Sequence, residues 1–166
     1  MSERTRSHTI EWQDPLATAA AVKAMSGLEA LRAMQRGEIP LPPMTLVMNL
    51  RLEEVEEGHV VFSGEPGAYH YNPIGSVHGG YASTICDSAL GCAVHSTLPA
   101  GVGYTTLDLQ VRFIRPITSE TGRVRCEAKV INAGNRIAIA EATLYGPEGK
   151  VLGHATTSCY IFRGES

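Results

Sequence analysis

The chain has 166 residues, 43% of them hydrophobic, which suits a single domain with an ordinary buried core. A formal net charge of -3 leaves no basic surplus to pair with nucleic-acid phosphate, so no nucleic-acid partner is expected. Met1 to Glu11 carry charge without an apolar run, and no stretch of about 18 apolar residues goes uninterrupted, so the expectation is a cytoplasmic protein with no membrane partner.

In chain order, Asp14-Pro15 reads as an N-cap with proline at the first helical position, opening an Ala-rich helix. Ser26-Gly27-Leu28-Glu29 is a capping box that restarts it, Met25, Leu28, Leu31 and Met34 form an apolar stripe, and Gly37 ends it. Pro40, Pro42 and Pro43 make a stiff linker. Residues 1–43 are therefore taken as a helical extension that packs on a main domain of residues 44–166.

Two strands are expected next, Thr45 to Val55 and His59 to Glu65, joined by Glu56-Glu57-Gly58. A Pro/Gly/Asn-rich loop, Pro66 to Val77, leads into a long helix of small and apolar residues from Gly79 to about Thr97. In Thr105 to Arg115 the residues Leu107, Leu109, Val111 and Phe113 alternate with polar ones, the period-2 pattern of a half-buried strand. Arg123 to Ile131, Arg136 to Tyr145 and Val151 to Phe162 follow, and short connections predict a four-stranded antiparallel meander. One helix can serve a six-stranded sheet only if the sheet curves around it, giving an α+β architecture. Ala82, Cys86, Ala89 and Ala93, with Gly91 nearby, supply the small side chains for close approach.

The four cysteines, Cys86, Cys92, Cys126 and Cys159, show no C-x-x-C spacing and are expected as reduced thiols. His59, His70, His95 and His154 show no ligand spacing, so no metal is expected.

Between Pro66 and Leu107 the only Asp, Glu, Lys or Arg is Asp87, in a chain that is 19% charged. Burying a lone carboxylate costs several kcal/mol, on the order of 3 or more, unless it is paired or solvated. The helix offers no cation in its own turns, and desolvation makes a carboxylate a better proton acceptor. Asp87 is thus the leading candidate for a general base. Val77-His78-Gly79-Gly80 stands where loop becomes helix, and the first amides of a helix lack internal partners and suit a developing oxyanion. Glycine there lets a carbonyl reach the N–H. Gly79 and Asp87 are eight residues apart, roughly 12 Å of helical rise. One chain cannot easily bring both within about 3 Å of one carbonyl group, whereas a two-fold homodimer with two composite sites can.

The run His70-Tyr71-Asn72-Pro73-Ile74-Gly75-Ser76-Val77-His78-Gly79-Gly80, followed by Asp87-Ser88-Ala89-Leu90-Gly91, resembles the PaaI-like (phenylacetate-degradation type) hotdog-fold thioesterases. Asp108 to Pro116 and Gly134-Asn135-Arg136 are similar to that family too, and the likeness runs from about Leu46 to Phe162. The resemblance implies a hotdog fold: a curved antiparallel sheet of about six strands around one long helix. It implies an acyl-CoA thioesterase in which Asp87 is general base or nucleophile and Gly79 the backbone donor to the thioester oxygen. Asn72 and His78 would shape that pocket, with Gly80 beside it. Thr106, or Thr105 in its place, would position water, and Arg136 would meet coenzyme A phosphates. No cofactor is implied, because coenzyme A is part of the substrate; a homodimer, and a tetramer built from it, are.

Two other functions fit the same elements. A hotdog enoyl-CoA hydratase or dehydratase usually pairs a histidine with the acid, and no helix histidine lies beside Asp87. A non-catalytic acyl-CoA binding or sensing protein would keep ligand affinity without turnover.

Overall fold

The computed structural model describes residues 5–163. It comprises α1 (Pro15–Lys23), α2 (Gly27–Gln35), α3 (Pro43–Val47), β1 (Leu50–Glu56), β2 (His59–Gly64), α4 (Gly79–His95), β3 (Val102–Phe113), β4 (Val124–Ala133), β5 (Ile137–Tyr145) and β6 (Val151–Arg163). The strands form one antiparallel sheet in the order β1-β2-β4-β5-β6-β3.

Six strands laid flat span roughly 24 Å, more than the width of one helix, yet α4 touches every one of them. The sheet must therefore curl around the helix. Ala82, Cys86, Ala89 and Ala93 are buried against a strand surface that includes Ala128, Ala138, Ala140 and Ala142, so both surfaces are small-residued. Ile85, Leu90 and Val94 are fully enclosed and each contributes about 1.5–3 kcal/mol by burial. Cys86, Cys126 and Cys159 are buried as free thiols, with the Cys86 and Cys126 sulfurs 3.8 Å apart. No helix among the described residues is long and apolar enough to cross a membrane.

The topology departs from a four-stranded meander. Of the four strands expected in it, only β4, β5 and β6 are sequential neighbours, while β3 pairs with β6 at the far edge and β4 lies beside β2. The reason is the connection 114–123. It holds Pro116, passes the start of α4, where Val77 N–H donates to Ile117 O at 2.8 Å, and so spans the molecule instead of turning back. The expected strand from Thr45 also begins late. Pro43 stands at the start of a helical turn, Thr45 Oγ1 donates to Pro42 O, and Asn49, at φ 51°, ends the turn before β1.

The N-terminal extension is anchored unevenly. Asp14 caps α1 by accepting from Leu16 N–H at 2.9 Å, but no α1 side chain is buried. The Ser26 capping box forms with Glu29, Gly37 sits at φ 75° after α2, and Ala30, Leu31 and Ala33 are buried. Thus α2 belongs to the core of the domain it covers, and α3 straddles the expected boundary at residue 43. Gly27 N–H donates to Leu98 O at 2.9 Å, and a Cβ at Gly27 would lie 1.7 Å from the His95 carbonyl oxygen. Backbone meets backbone there, and neither side can yield cheaply. Gly27→Ala is expected to destabilise the fold by about 1–3 kcal/mol or more, read as a lower urea midpoint at unchanged slope.

Candidate active site

The loop before α4 is tied down by its own polar groups. Asn72 Oδ1 accepts from Ile74 N–H and Ser76 N–H at 3.0 and 3.3 Å, and its Nδ2 donates to Ser76 Oγ at 3.1 Å. Its side chain therefore braces the loop. His70 Nδ1 accepts from Gly67 N–H at 3.0 Å, and His70 O accepts from His78 N–H at 2.8 Å, carrying the brace to the helix start.

His78 is the N-cap of α4, and its Nδ1 accepts from Gly80 N–H at 2.8 Å. The neutral ring then carries its proton on Nε2. A Cβ on Gly80 would lie 2.8 Å from that Nδ1, so glycine is required for the cap to close. With Gly80 N–H so engaged, Gly79 N–H has no hydrogen-bond partner among the described residues. Gly79 faces the Phe113 ring, 3.1 Å from where its Cβ would stand. A cavity of about 370 Å³ opens here, lined by His78, Gly79, Ala82, Phe113, Ile117 and Leu152 among others.

Asp87 stands eight residues further along α4. Thr106 Oγ1 donates to Asp87 Oδ1 at 3.1 Å. Strict alternation would put Thr106 with the polar residues of β3, facing away from α4. A register shift between Thr106 and Asp108 makes Leu107 the extra residue, 56% exposed, and turns Thr106 to the helix. Asp87 itself is half-buried, not enclosed as its isolation in sequence suggested. Because β3 is an edge strand, the wall on that side of the carboxylate ends there.

Around Asp87 the groups are uncharged. Burial, reinforced by the Asp87 charge, pushes the Cys92 thiol up to about 12. Burial likewise raises the Tyr104 phenol well above its ordinary range, with Cys92, Cys159 and Asp87 adding to the effect. Cys159 is raised by burial and His95 lowered by it. Asp87 is in no salt bridge among the described residues.

Thr105 and Arg136 lie elsewhere. Thr105 is exposed and pairs in register with Tyr160. Arg136 is exposed at the β4–β5 turn, where it lines an open depression of about 560 Å³ with Asn135, Tyr160, Phe162 and Arg163, separate from the Gly79 cavity. Two of the histidines face carboxylates: His59 Nε2 is 3.0 Å from Glu127 and His154 Nε2 is 3.6 Å from Glu141. The structure thus brings Asp87 together with Thr106, and His78 with Gly79 and Gly80. Sequence reading did not assign Tyr104 to the site, and it gave Gly91 and Phe113 only as a close-packing and a strand residue. Tyr104 lies two residues before Thr106, a spacing that could have flagged it had the strand been started earlier than Thr105.

Chemically, one half of this arrangement is a carboxylate steadied by a hydroxyl donor, and the other is an unengaged amide at a helix N-terminus. Residues 74–152 match the thioesterase superfamily. A Halobacterium salinarum protein named as an esterase is 39% identical over 75 residues, 44% of this chain and 48% of that relative, so the match spans about half the length of the curated relative. A phenylacetic acid degradation-related protein of Ralstonia eutropha superposes with a TM-score of 0.72 at 26% identity, over 78% of this chain and 98% of that one. A variant of the phenylacetic acid degradation protein PaaI of Thermus thermophilus gives 0.65 at 26%, over 72% and 98%. The Escherichia coli PaaI protein gives 0.72 over 84% and 95%, at 18% identity, a likeness of fold alone. The matched segment is of the thioesterase superfamily, and the chain shares the hotdog fold of its PaaI-like structural neighbours.

Proposed function

We propose that the protein hydrolyses an acyl-coenzyme A thioester to the free acid and coenzyme A. The observation that carries this reading is the Asp87–Thr106 pair, set on the same helix as an unengaged Gly79 amide. Asp87 takes a proton from water as the water oxygen bonds to the thioester carbonyl carbon. The carbonyl oxygen becomes an oxyanion at the Gly79 N–H. Collapse breaks the C–S bond, and the thiolate leaves with the proton that Asp87 held. Thr106, donating to one carboxylate oxygen, leaves the other to face the water. His78 and Asn72 hold the helix entrance in shape. Coenzyme A enters as part of the substrate and leaves as the free thiol, and in this reading its phosphates would meet Arg136 at the β4–β5 turn.

The site is composite. Gly79 and Asp87 share a rigid helix, roughly 12 Å apart along its axis, too far for one carbonyl. β3 supports a second copy as the solution: it is a 12-residue edge strand, with Leu107 56% and Phe113 61% exposed. Thr106 lies by Asp87 and Phe113 by Gly79. Antiparallel pairing of β3 with its copy about an axis between Leu109 and Gln110 would lay Thr106 opposite the partner's Phe113. That register carries the partner's Gly79 toward Asp87, twice per dimer. Ile137, Ile139, Tyr160 and Phe162 leave a further apolar area on the sheet, which supports a second contact and a tetramer.

Asp87→Asn is expected to lower thiol release from acyl-CoA by about a hundredfold or more. Unchanged release would overturn the reading. Composite sites have a separate test. Asp87→Asn and Gly79→Val chains, each inactive alone, are co-expressed. Mixed dimers then hold one doubly altered site and one intact site, so about a quarter of wild-type turnover should return. Sites contained within single chains would return none.

A further inference from the structure

The turn of α4 that follows Asp87 meets β3 in an unusual way. Gly91, one turn beyond Asp87, is buried, and a Cβ there would lie 2.7 Å from Tyr104 Oη and 3.1 Å from the ring. Helix and phenol touch because position 91 has no side chain. Tyr104 is on the same stretch of β3 as Thr106, its ring centroid 5.5 Å from that of His95. Tyr104 Oη makes no hydrogen bond among the described residues, so the side chain is held there by packing. Cys92 and Cys159 complete the surroundings that feel the Asp87 charge.

A thioester has two arms. The nucleotide arm is bulky and charged and must stay in solvent, so the acyl arm points inward from the carbonyl at Asp87. Inward means the wedge between α4 and β3, and glycine at position 91 widens that wedge beside the carboxylate. The room is filled by the Tyr104 ring. Every group there is neutral at physiological pH, and no Lys or Arg lies between Pro66 and Leu107 to receive a second carboxylate.

We propose that Tyr104, packed on Gly91 beside Asp87, is the specificity-determining wall of the acyl site and restricts the substrate to a short, uncharged acyl group. This rests on the acyl-CoA hydrolysis reading.

The test is kcat/KM across straight-chain acyl-CoAs from acetyl to palmitoyl, with succinyl-CoA set against butyryl-CoA. For the wild type, values should fall steeply as the chain lengthens, and butyryl should exceed succinyl by about tenfold or more. Tyr104→Ala and the milder Tyr104→Leu should raise long-chain relative to short-chain values by about tenfold or more, since each methylene admitted adds apolar burial. Tyr104→Phe should keep the wild-type profile, because bulk and not the hydroxyl is at work. The proposal is overturned if the wild type already prefers long chains or takes succinyl as well as butyryl. It also fails if Tyr104→Leu still turns over short substrates with an unshifted profile, or if Tyr104→Phe shifts as Tyr104→Ala does. A wild type that releases thiol from no member of the series overturns the hydrolysis reading as well, which separates that failure from the others.

Discussion

Close packing of α4 into the curled sheet is the constraint on which the rest of this structure depends. Ala82, Cys86, Ala89 and Ala93 present almost no side-chain bulk, and the alanines of β4 and β5 answer them. Interiors packed this densely resist displacement, so a helix held on one side by six strands cannot slide or tilt without opening voids. Because α4 carries both Gly79 and Asp87, that rigidity also fixes their separation. A flexible segment could have drawn the amide and the carboxylate together within one chain. A packed helix cannot, and for that reason the proposed composite site draws on the free edge of β3 for a second copy.

Charge is partitioned across the sheet. The surface turned away from α4 carries ion pairs from β1 across to β5: Arg123 with Glu53, Arg125 with Glu54 and Glu127, and Lys129 with Glu141. Such pairs are solvent-screened and add little individually. On the helix side Asp87 stands with the Thr106 hydroxyl among thiols, a phenol and an imidazole that burial keeps neutral. The partners left to the lone acid in that company are the Thr106 hydroxyl and solvent at the open edge. The same neutrality that leaves the acid without a cation makes its surroundings hospitable to an uncharged acyl group.

The helix entrance is a second case of a local motif serving a distant need. His78 caps α4 by engaging Gly80, and the consequence is that the amide left over belongs to Gly79. Asn72 spends its side chain within the loop, and His70 ties the loop to the cap. Their contribution is the shape of the entrance, which the Gly79 amide then inherits.

Much was legible from the residues in order. The caps at Asp14 and Ser26, the helix from Gly79, the turns at Gly58 and Gly134 and the spacing of His78, Gly79 and Asp87 are local, because hydrogen bonds within a few residues and side-chain periodicity decide them. The small residues of α4 announced a helix meant to be closely covered, and a curved sheet followed from counting strands against one helix. What lay beyond reach depends on pairings between residues far apart in the chain. The place of β3 at the edge follows from a ten-residue crossing whose destination no local pattern encodes. The bulge at Leu107 breaks an alternation that the sequence displays without flaw, and it arises from the pairing of β3 with β6. The half-open position of Asp87 and the seat of Tyr104 on Gly91 both follow from that pairing. The sequence by itself determined the elements and the chemical groups at the helix, through short-range hydrogen bonding and periodicity. Only the tertiary structure decided which strand covers those groups and which side chain fills the space beside them, because long-range register and packing set both.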